Sequence, residues 1–117
     1  MTAAGAAVWR TGGSHRGARE IVRGGELGDV RFCRMVDAEG HGRELLDFVH
    51  FVLDEGAPVS VGAQTMRATL QYPGFVASYE RASGGEGGVW FCGSEGTLRV
   101  NGDGLRIWHS DGRLERR

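Results

Sequence analysis

Lysine is missing from this sequence: all 14 basic residues among the 117 are arginine. That excludes a lysine general base, a Schiff-base lysine and a phosphate-loop lysine within the chain. Cysteine is scarce, limited to Cys33 and Cys92. Two cysteines without a Cys-x-x-Cys spacing make no disulfide framework. Both lie in apolar runs, Val30-Arg-Phe-Cys33 and Val89-Trp-Phe-Cys92, so buried free thiols in a reducing cytoplasm are expected. No run reaches the roughly 18 apolar residues of a membrane span. Met1 to Val8 is small and apolar but lacks a basic start and is too short for a signal peptide. Neither charge sign dominates, because 15 acidic residues against 14 basic ones leave a net charge of −1. That balance argues against nucleic acid and membrane surfaces as partners.

Glycine is the residue in excess, with 21 occurrences against 2 prolines. The glycines separate apolar runs, where tight turns need them. The length suits one domain over residues 1–117, with its core in 8–109 and a polar, loose tail at 110–117.

Ala3 to Trp9 reads as a short strand, and Thr11-Gly-Gly-Ser14 as a loop with Ser14 capping a helix. His15 to Arg23 has helical spacing and ends at Gly24-Gly25. Asp29 to Val36 alternates, with Val30, Phe32 and Arg34 on one face and Arg31, Cys33 and Met35 on the other, as a strand requires. Arg43 to Glu55 carries a broad apolar stripe (Leu45, Leu46, Phe48, Val49, Val52, Leu53) and predicts the strongest helix. Its polar stripe holds Arg43/Asp47 and His50/Asp54, each an i,i+4 pair. Gly56 closes it and Pro58 follows. Strands are expected at Val59–Gln64, Met66–Tyr72, Phe75–Arg81, Val89–Cys92, Thr97–Val100 and Leu105–His109. Ser83 to Gly88 reads as a connector and Asn101-Gly-Asp-Gly104 as a hairpin turn. Helices first and strands after predict an α+β fold, a mostly antiparallel open sheet with two helices on one face. Met66, Trp90, Phe91 and Trp108 are candidates for an apolar surface on the other face.

Gly24-Gly-Glu-Leu-Gly28 superficially resembles a nucleotide loop. A dinucleotide fingerprint follows a strand and opens a helix, whereas this segment does the reverse, so no cofactor-binding residue is assigned. His41, Glu44, Asp47 and His50 step by three residues and form the dense titratable cluster. A solvated helix face is its plainest reading, and a substrate-lining or catalytic role is the functional one. No metal site is assigned, because His-Glu-x-x-His is absent. His15 and His109 lie near element ends and read as surface or structural residues.

The order of segments resembles a known family. Glu20-Ile-Val-Arg-Gly-Gly-Glu-Leu-Gly-Asp-Val-Arg-Phe32 looks like the stretch opening the C-terminal domain of Gfo/Idh/MocA oxidoreductases, relatives of glucose–fructose oxidoreductase and inositol dehydrogenase. Leu45 to Ala63, Leu70 to Glu80 and Gly93 to Val100 resemble the helix and strands that follow in that family. The resemblance implies a two-domain, NAD- or NADP-dependent enzyme acting on a sugar or polyol. Its Rossmann half, with the catalytic Lys, has no counterpart in these residues. The domain resembled lines the substrate site and builds a homo-oligomer through its open sheet face. In one register Asp47 matches an Asp one turn after the family's catalytic His, whose place is taken by Glu44. In the other, Asp47 and His50 stand for an Asp-x-x-x-His pair, one residue short. The expectation is a substrate and oligomer domain, inactive alone, with a missing or separate Rossmann partner. Its candidate catalytic residues are Glu44, Asp47 and His50, and its candidate substrate-lining residues His41, Glu44 and Asp47. The alternatives are a free-standing homodimeric interaction module and a non-catalytic small-sugar binder.

Overall fold

The computed structural model describes residues 13–38, 40, 42–54, 56–64, 66–82, 87–101 and 104–117. The elements run α1 (Gly13–Arg23), β1 (Val30–Asp37), α2 (Gly42–Leu53), β2 (Ser60–Gln64), β3 (Arg67–Gln71), β4 (Val76–Arg81), β5 (Gly88–Gly93), β6 (Gly96–Asn101), β7 (Gly104–His109) and β8 (Leu114–Arg116). All eight strands form one sheet in the order β2-β3-β4-β1-β5-β6-β7-β8. This is the expected α+β open sheet. One of its pairings is parallel, β1 with β4; β1 pairs antiparallel with β5 on its other side.

Strand alternation sorts the side chains onto two faces. On one, Cys33, Met35, Val89, Phe91, Leu98 and Ile107 are essentially buried under the helices. From the helices, Ala18, Ile21, Leu45, Phe48, Val49 and Val52 meet them. Phe48 stands edge-on to Phe91, with ring centroids 6.0 Å apart. α2 lies against β1, and α1 against β6 and β7. The other face carries Phe32, Arg34, Trp90, Cys92, Thr97, Arg99, Arg106 and Trp108, and no element of the described residues packs over it. Phe91, expected on the open face, is instead fully buried under Phe48. Its neighbours Trp90 and Cys92 take the open face, as a two-residue period demands. Phe32 pairs with Cys92 and Cys33 with Phe91, so the two free thiols point to opposite faces.

Glycine ends α1 as its sequence predicts. Gly25 has φ +84°, its N–H donates to the Val22 carbonyl at 3.3 Å, and the Glu26 N–H donates to the Ile21 carbonyl at 3.3 Å. These are the two bonds of a Schellman motif, with glycine in the left-handed position. The other boundaries depart from expectation. α1 starts at Gly13, so Ser14 lies within the helix rather than capping it. α2 stops at Leu53, where Asp54 takes φ +55°. Asp is among the few non-glycine residues that tolerate this conformation. Asp54 pairs with Arg23 at 3.2 Å, tying the two helix C-termini together, instead of pairing with His50. The expected strand at 3–9, the loop at 11–12 and residues 83–86 of the connector lie outside the described residues.

The tail is not loose. Leu114–Arg116 adds the edge strand β8, and the Leu105 and Arg117 backbones exchange hydrogen bonds at 3.2 and 2.9 Å. Arg117 then clamps Glu26 bidentately at 2.9 and 2.7 Å and also bonds Glu115. These carboxylates hold the guanidinium in its charged form, and Arg117 in turn lowers the pKa of Glu26. Polar composition hid this strand, since an exposed edge strand needs no apolar alternation.

Candidate functional site

The candidate site lies where α2 begins over the β1–β4 end of the sheet. Asp37 closes β1 and is 2% exposed, a costly place for a carboxylate unless it is well bonded. Its Oδ2 accepts the Tyr79 hydroxyl at 2.5 Å and its Oδ1 accepts the Gly40 N–H at 2.7 Å. Its backbone carbonyl accepts the Ala82 N–H at 3.0 Å. Parallel pairing explains the meeting. Met35 opposes Tyr79 and Asp37 opposes Arg81, so Asp37 and Tyr79 sit diagonally on the same helix-facing side.

Tyr79 continues the contact upward. A Cβ placed on Gly42, the first residue of α2, would lie 3.0 to 3.1 Å from the Tyr79 ring and hydroxyl. Gly40, with φ +85°, lies against the Arg81 guanidinium in the same way, at 3.2 to 3.4 Å. Asp37 and Tyr79 therefore form the floor under the segment entering α2. Burial, with the Asp37 bond and charge, pushes the Tyr79 phenol up to about 12. At neutral pH it is a committed donor to Asp37 and no proton acceptor.

Glu44 and Asp47 are half-buried on the first turns of α2, above this floor. His50 stands one turn further on, and the structure ties it elsewhere. Its Nε2 meets the Tyr72 hydroxyl at 2.6 Å, with the rings edge-on and their centroids 5.5 Å apart. Tyr72 is 5% exposed and stacked on Phe75, with centroids at 4.3 Å and planes at 9°. The helix thus brings Glu44, Asp47 and His50 onto successive turns, while the imidazole faces β3 and the Tyr72-Pro-Gly-Phe75 turn. The side chains of His15 and His41 lie outside the described residues. His109 is held by Glu115 of β8 at 2.9 Å, a structural role.

Beside α2 the helix-facing side of the sheet continues across Tyr79, Ala68 and Ala63 to the edge hairpin β2–β3. Val61 is 57% exposed there, and Met66, at the hairpin turn with φ +66°, is also 57% exposed. The result is a ledge of small apolar residues beside a wall, α2, whose first turns carry Glu44 and Asp47. Carboxylates at such a wall accept hydrogen bonds from hydroxyl groups of a ligand. Sequence reading missed Asp37, Tyr79 and Tyr72. The Asp37–Tyr79 pair spans 42 positions, and only the sheet register joins them.

Neither the glycine segment nor the start of α2 forms a dinucleotide phosphate cradle. The glycine segment at 24–28 spends its donors internally, with Gly24 bonded to Glu20, Gly25 to Val22, Glu26 to Ile21 and Gly28 to Gly25. The start of α2, at Gly42, carries Glu44 in its first turn, which repels a pyrophosphate. Among the described residues no group of three His, Cys, Asp or Glu side chains is placed to hold a metal ion. No helix among them is long and apolar enough to cross a membrane.

No protein-family model and no curated protein matches the chain. Solved structures do match. An oxidoreductase from Pseudomonas syringae superposes with a TM-score of 0.70 at 18% identity, over 88% of this chain and 38% of its own. An inositol dehydrogenase homolog from Azotobacter vinelandii, complexed with NADH and myo-inositol, gives 0.70 at 16% identity, over 88% and 38%. An NAD-binding oxidoreductase from Klebsiella pneumoniae gives 0.66 at 16% identity, over 89% and 43%. The chain therefore shares the fold of one portion of such oxidoreductases and spans well under half of their length.

Proposed function

We propose that this chain is the C-terminal, substrate-side and oligomer-forming portion of an NAD(P)-dependent oxidoreductase acting on a sugar or polyol. The observation that carries the reading is the match over 88% of the chain to 38% of an oxidoreductase complexed with NADH and myo-inositol. The ledge supports it. Glu44 and Asp47 of α2 are read as its carboxylate acceptors for a polyhydroxylated ligand, and His41, which lies outside the described residues, is assigned with them from the sequence alone. Hydride transfer needs a bound nicotinamide, and the cofactor supplies that chemistry. In this reading the nicotinamide-binding half comes from outside the described residues, and the chain by itself is inactive.

Copies of the chain associate through the open sheet face, which presents Phe32 and Trp108, each 38% exposed, and Leu114, 47% exposed. Register puts these three in one row with Val76, Cys92 and Thr97. The work is done in the cytoplasm, where Cys33 and Cys92 stay reduced.

The test is a fluorescence titration of the purified chain with NADH and then NADPH, followed by a thermal-shift screen with polyols. Absence of saturable dinucleotide binding, with stabilisation by a polyol that Asp47→Asn removes, is the expected result. Tight binding of either dinucleotide by the chain alone refutes the division of labour. No stabilisation by any polyol refutes the substrate-side role.

A further inference from the structure

The open sheet face has a charge the whole chain does not. Among its described strand residues are five arginines, Arg34, Arg67, Arg99, Arg106 and Arg116, and one carboxylate, Glu80. The full chain carries a net charge of −1. Register aligns Arg34, Trp90, Arg99, Arg106 and Arg116 in a single row across β1, β5, β6, β7 and β8. Adjacent strands are about 4.8 Å apart, so Arg106 and Arg116 stand side by side at the β7–β8 end, beside a buried Arg99.

Several of the other arginines have partners. Arg34 reaches Glu80 at 3.8 Å and lies over the Trp90 ring, 5.4 Å from its centroid. Arg23, Arg31, Arg113 and Arg117 each pair with a carboxylate. Among the described residues Arg106 and Arg116 pair with none, although they face each other directly. The Leu105–Arg117 pair beside them exchanges both backbone hydrogen bonds. Alternation then makes Arg106–Arg116 a non-hydrogen-bonded pair, the kind with Cα atoms only about 4.5 Å apart. Both side chains leave the sheet there on one side, Arg106 half-buried and Arg116 exposed, and a guanidinium fork is able to grip an oxyanion bidentately.

Stacking a second copy on this face brings the arginine rows together across about 10 Å. Glu80 is already engaged by Arg34 and offers little compensation. The apolar row of Phe32, Trp108 and Leu114 favours the contact while the adjoining row opposes it.

We propose that the open face binds a doubly charged tetrahedral oxyanion between Arg106 and Arg116, and that two copies assemble through this face only when it is bound. The chemistry is that of free phosphate or of a phosphoryl group on a small molecule. A monocarboxylate leaves one of the two guanidinium charges uncompensated. The assembly step rests on the reading of this face as the contact between copies; the anion site does not.

Sedimentation velocity of the purified chain tests both parts. It is run in chloride, then with millimolar inorganic phosphate or glycerol phosphate at unchanged ionic strength, beside calorimetric titration with the same anions. The expected result is a monomer in chloride and a dimer with phosphate. Response to inorganic phosphate alone assigns the site to the free ion; response to both assigns it to the phosphoryl group. The R106Q/R116Q variant is expected to dimerise in chloride, ignore phosphate and lose anion affinity by about tenfold or more. A wild-type dimer in chloride that phosphate does not tighten overturns the proposal, as does a variant that keeps the phosphate response. Phosphate heat that the variant lacks, with no change in mass, upholds the anion site and overturns assembly through it. A monomer without phosphate heat overturns both.

Discussion

Removing the Asp37 carboxylate should be the most informative single perturbation at the α2 entry. In Asp37→Ala the Tyr79 hydroxyl and the Gly40 N–H lose an acceptor at 2.5 and 2.7 Å, respectively. Hydrogen bonds to a charged group contribute about 1.5 to 3 kcal/mol each, so the loss of two is about 3 to 6 kcal/mol. That is a large share of the roughly 5 to 15 kcal/mol that holds a domain together. Tyr79→Phe removes one donor and should cost about 1 to 3 kcal/mol. Because the two residues share a bond, the double variant should cost less than the sum by about 1 kcal/mol or more. Asp37→Asn keeps an acceptor for Gly40 and should fall between wild type and Asp37→Ala. Urea denaturation followed by tryptophan fluorescence measures all four, and hydrogen exchange at the Gly40 amide localises the effect. An Asp37→Ala loss under about 1 kcal/mol, or strict additivity with Tyr79→Phe, refutes the claim that this pair anchors the segment.

Tyr79 also sets an alkaline limit. Its phenol is raised from 10.0 to about 12, so folding favours the neutral form. The stabilisation is full below pH 10 and is lost as pH rises towards 12. The urea midpoint should fall across that window and fall less in Tyr79→Phe, with phenolate absorbance giving the titration itself. Two glycines make a contrasting pair. A Cβ on Gly93 would sit 2.1 Å from the Leu27 carbonyl oxygen, a backbone atom that cannot swing aside, so Gly93→Ala should cost about 3 kcal/mol or more. Nothing lies within 4 Å of a Cβ on Gly62, in the edge strand β2, so Gly62→Ala should be neutral or stabilise by up to about 1 kcal/mol in the same denaturation assay.

Local chemistry was readable wherever a side chain's fate depends on its near neighbours. Alternation in 29–36 assigned Cys33 and Met35 to one face and Phe32 and Arg34 to the other, and the structure buries the first two. The stripe in 43–53 placed Leu45, Phe48, Val49 and Val52 in the core. Phe91 was misassigned because Trp90, Phe91 and Cys92 are all apolar, and an apolar run carries no period to read. The 114–116 strand was missed because Leu114-Glu-Arg116 pairs through its backbone at an exposed edge, where side-chain type says little.

The site divides the same way. Glu44, Asp47 and His50 could be placed together from helical spacing alone, since a helix fixes which residues share a side within two turns. Their surroundings could not. His50 meets Tyr72 across 22 positions and Asp37 meets Tyr79 across 42, and both meetings follow from how α2 and β4 are laid against β1. The arginine row was equally invisible, since Arg34, Arg99, Arg106 and Arg116 are scattered along the chain and align only through four strand registers.

By itself, then, the sequence determined what most segments become, the edge strand at 114–116 being the exception. Helices, strands and turns follow from the spacing of apolar residues and from glycine, within reach of a few neighbours. Tertiary structure alone decided which strands adjoin, and so which carboxylate, phenol, imidazole and guanidinium groups meet. Pairing energies between distant strands depend on burial summed over a whole face, and no local pattern encodes that sum.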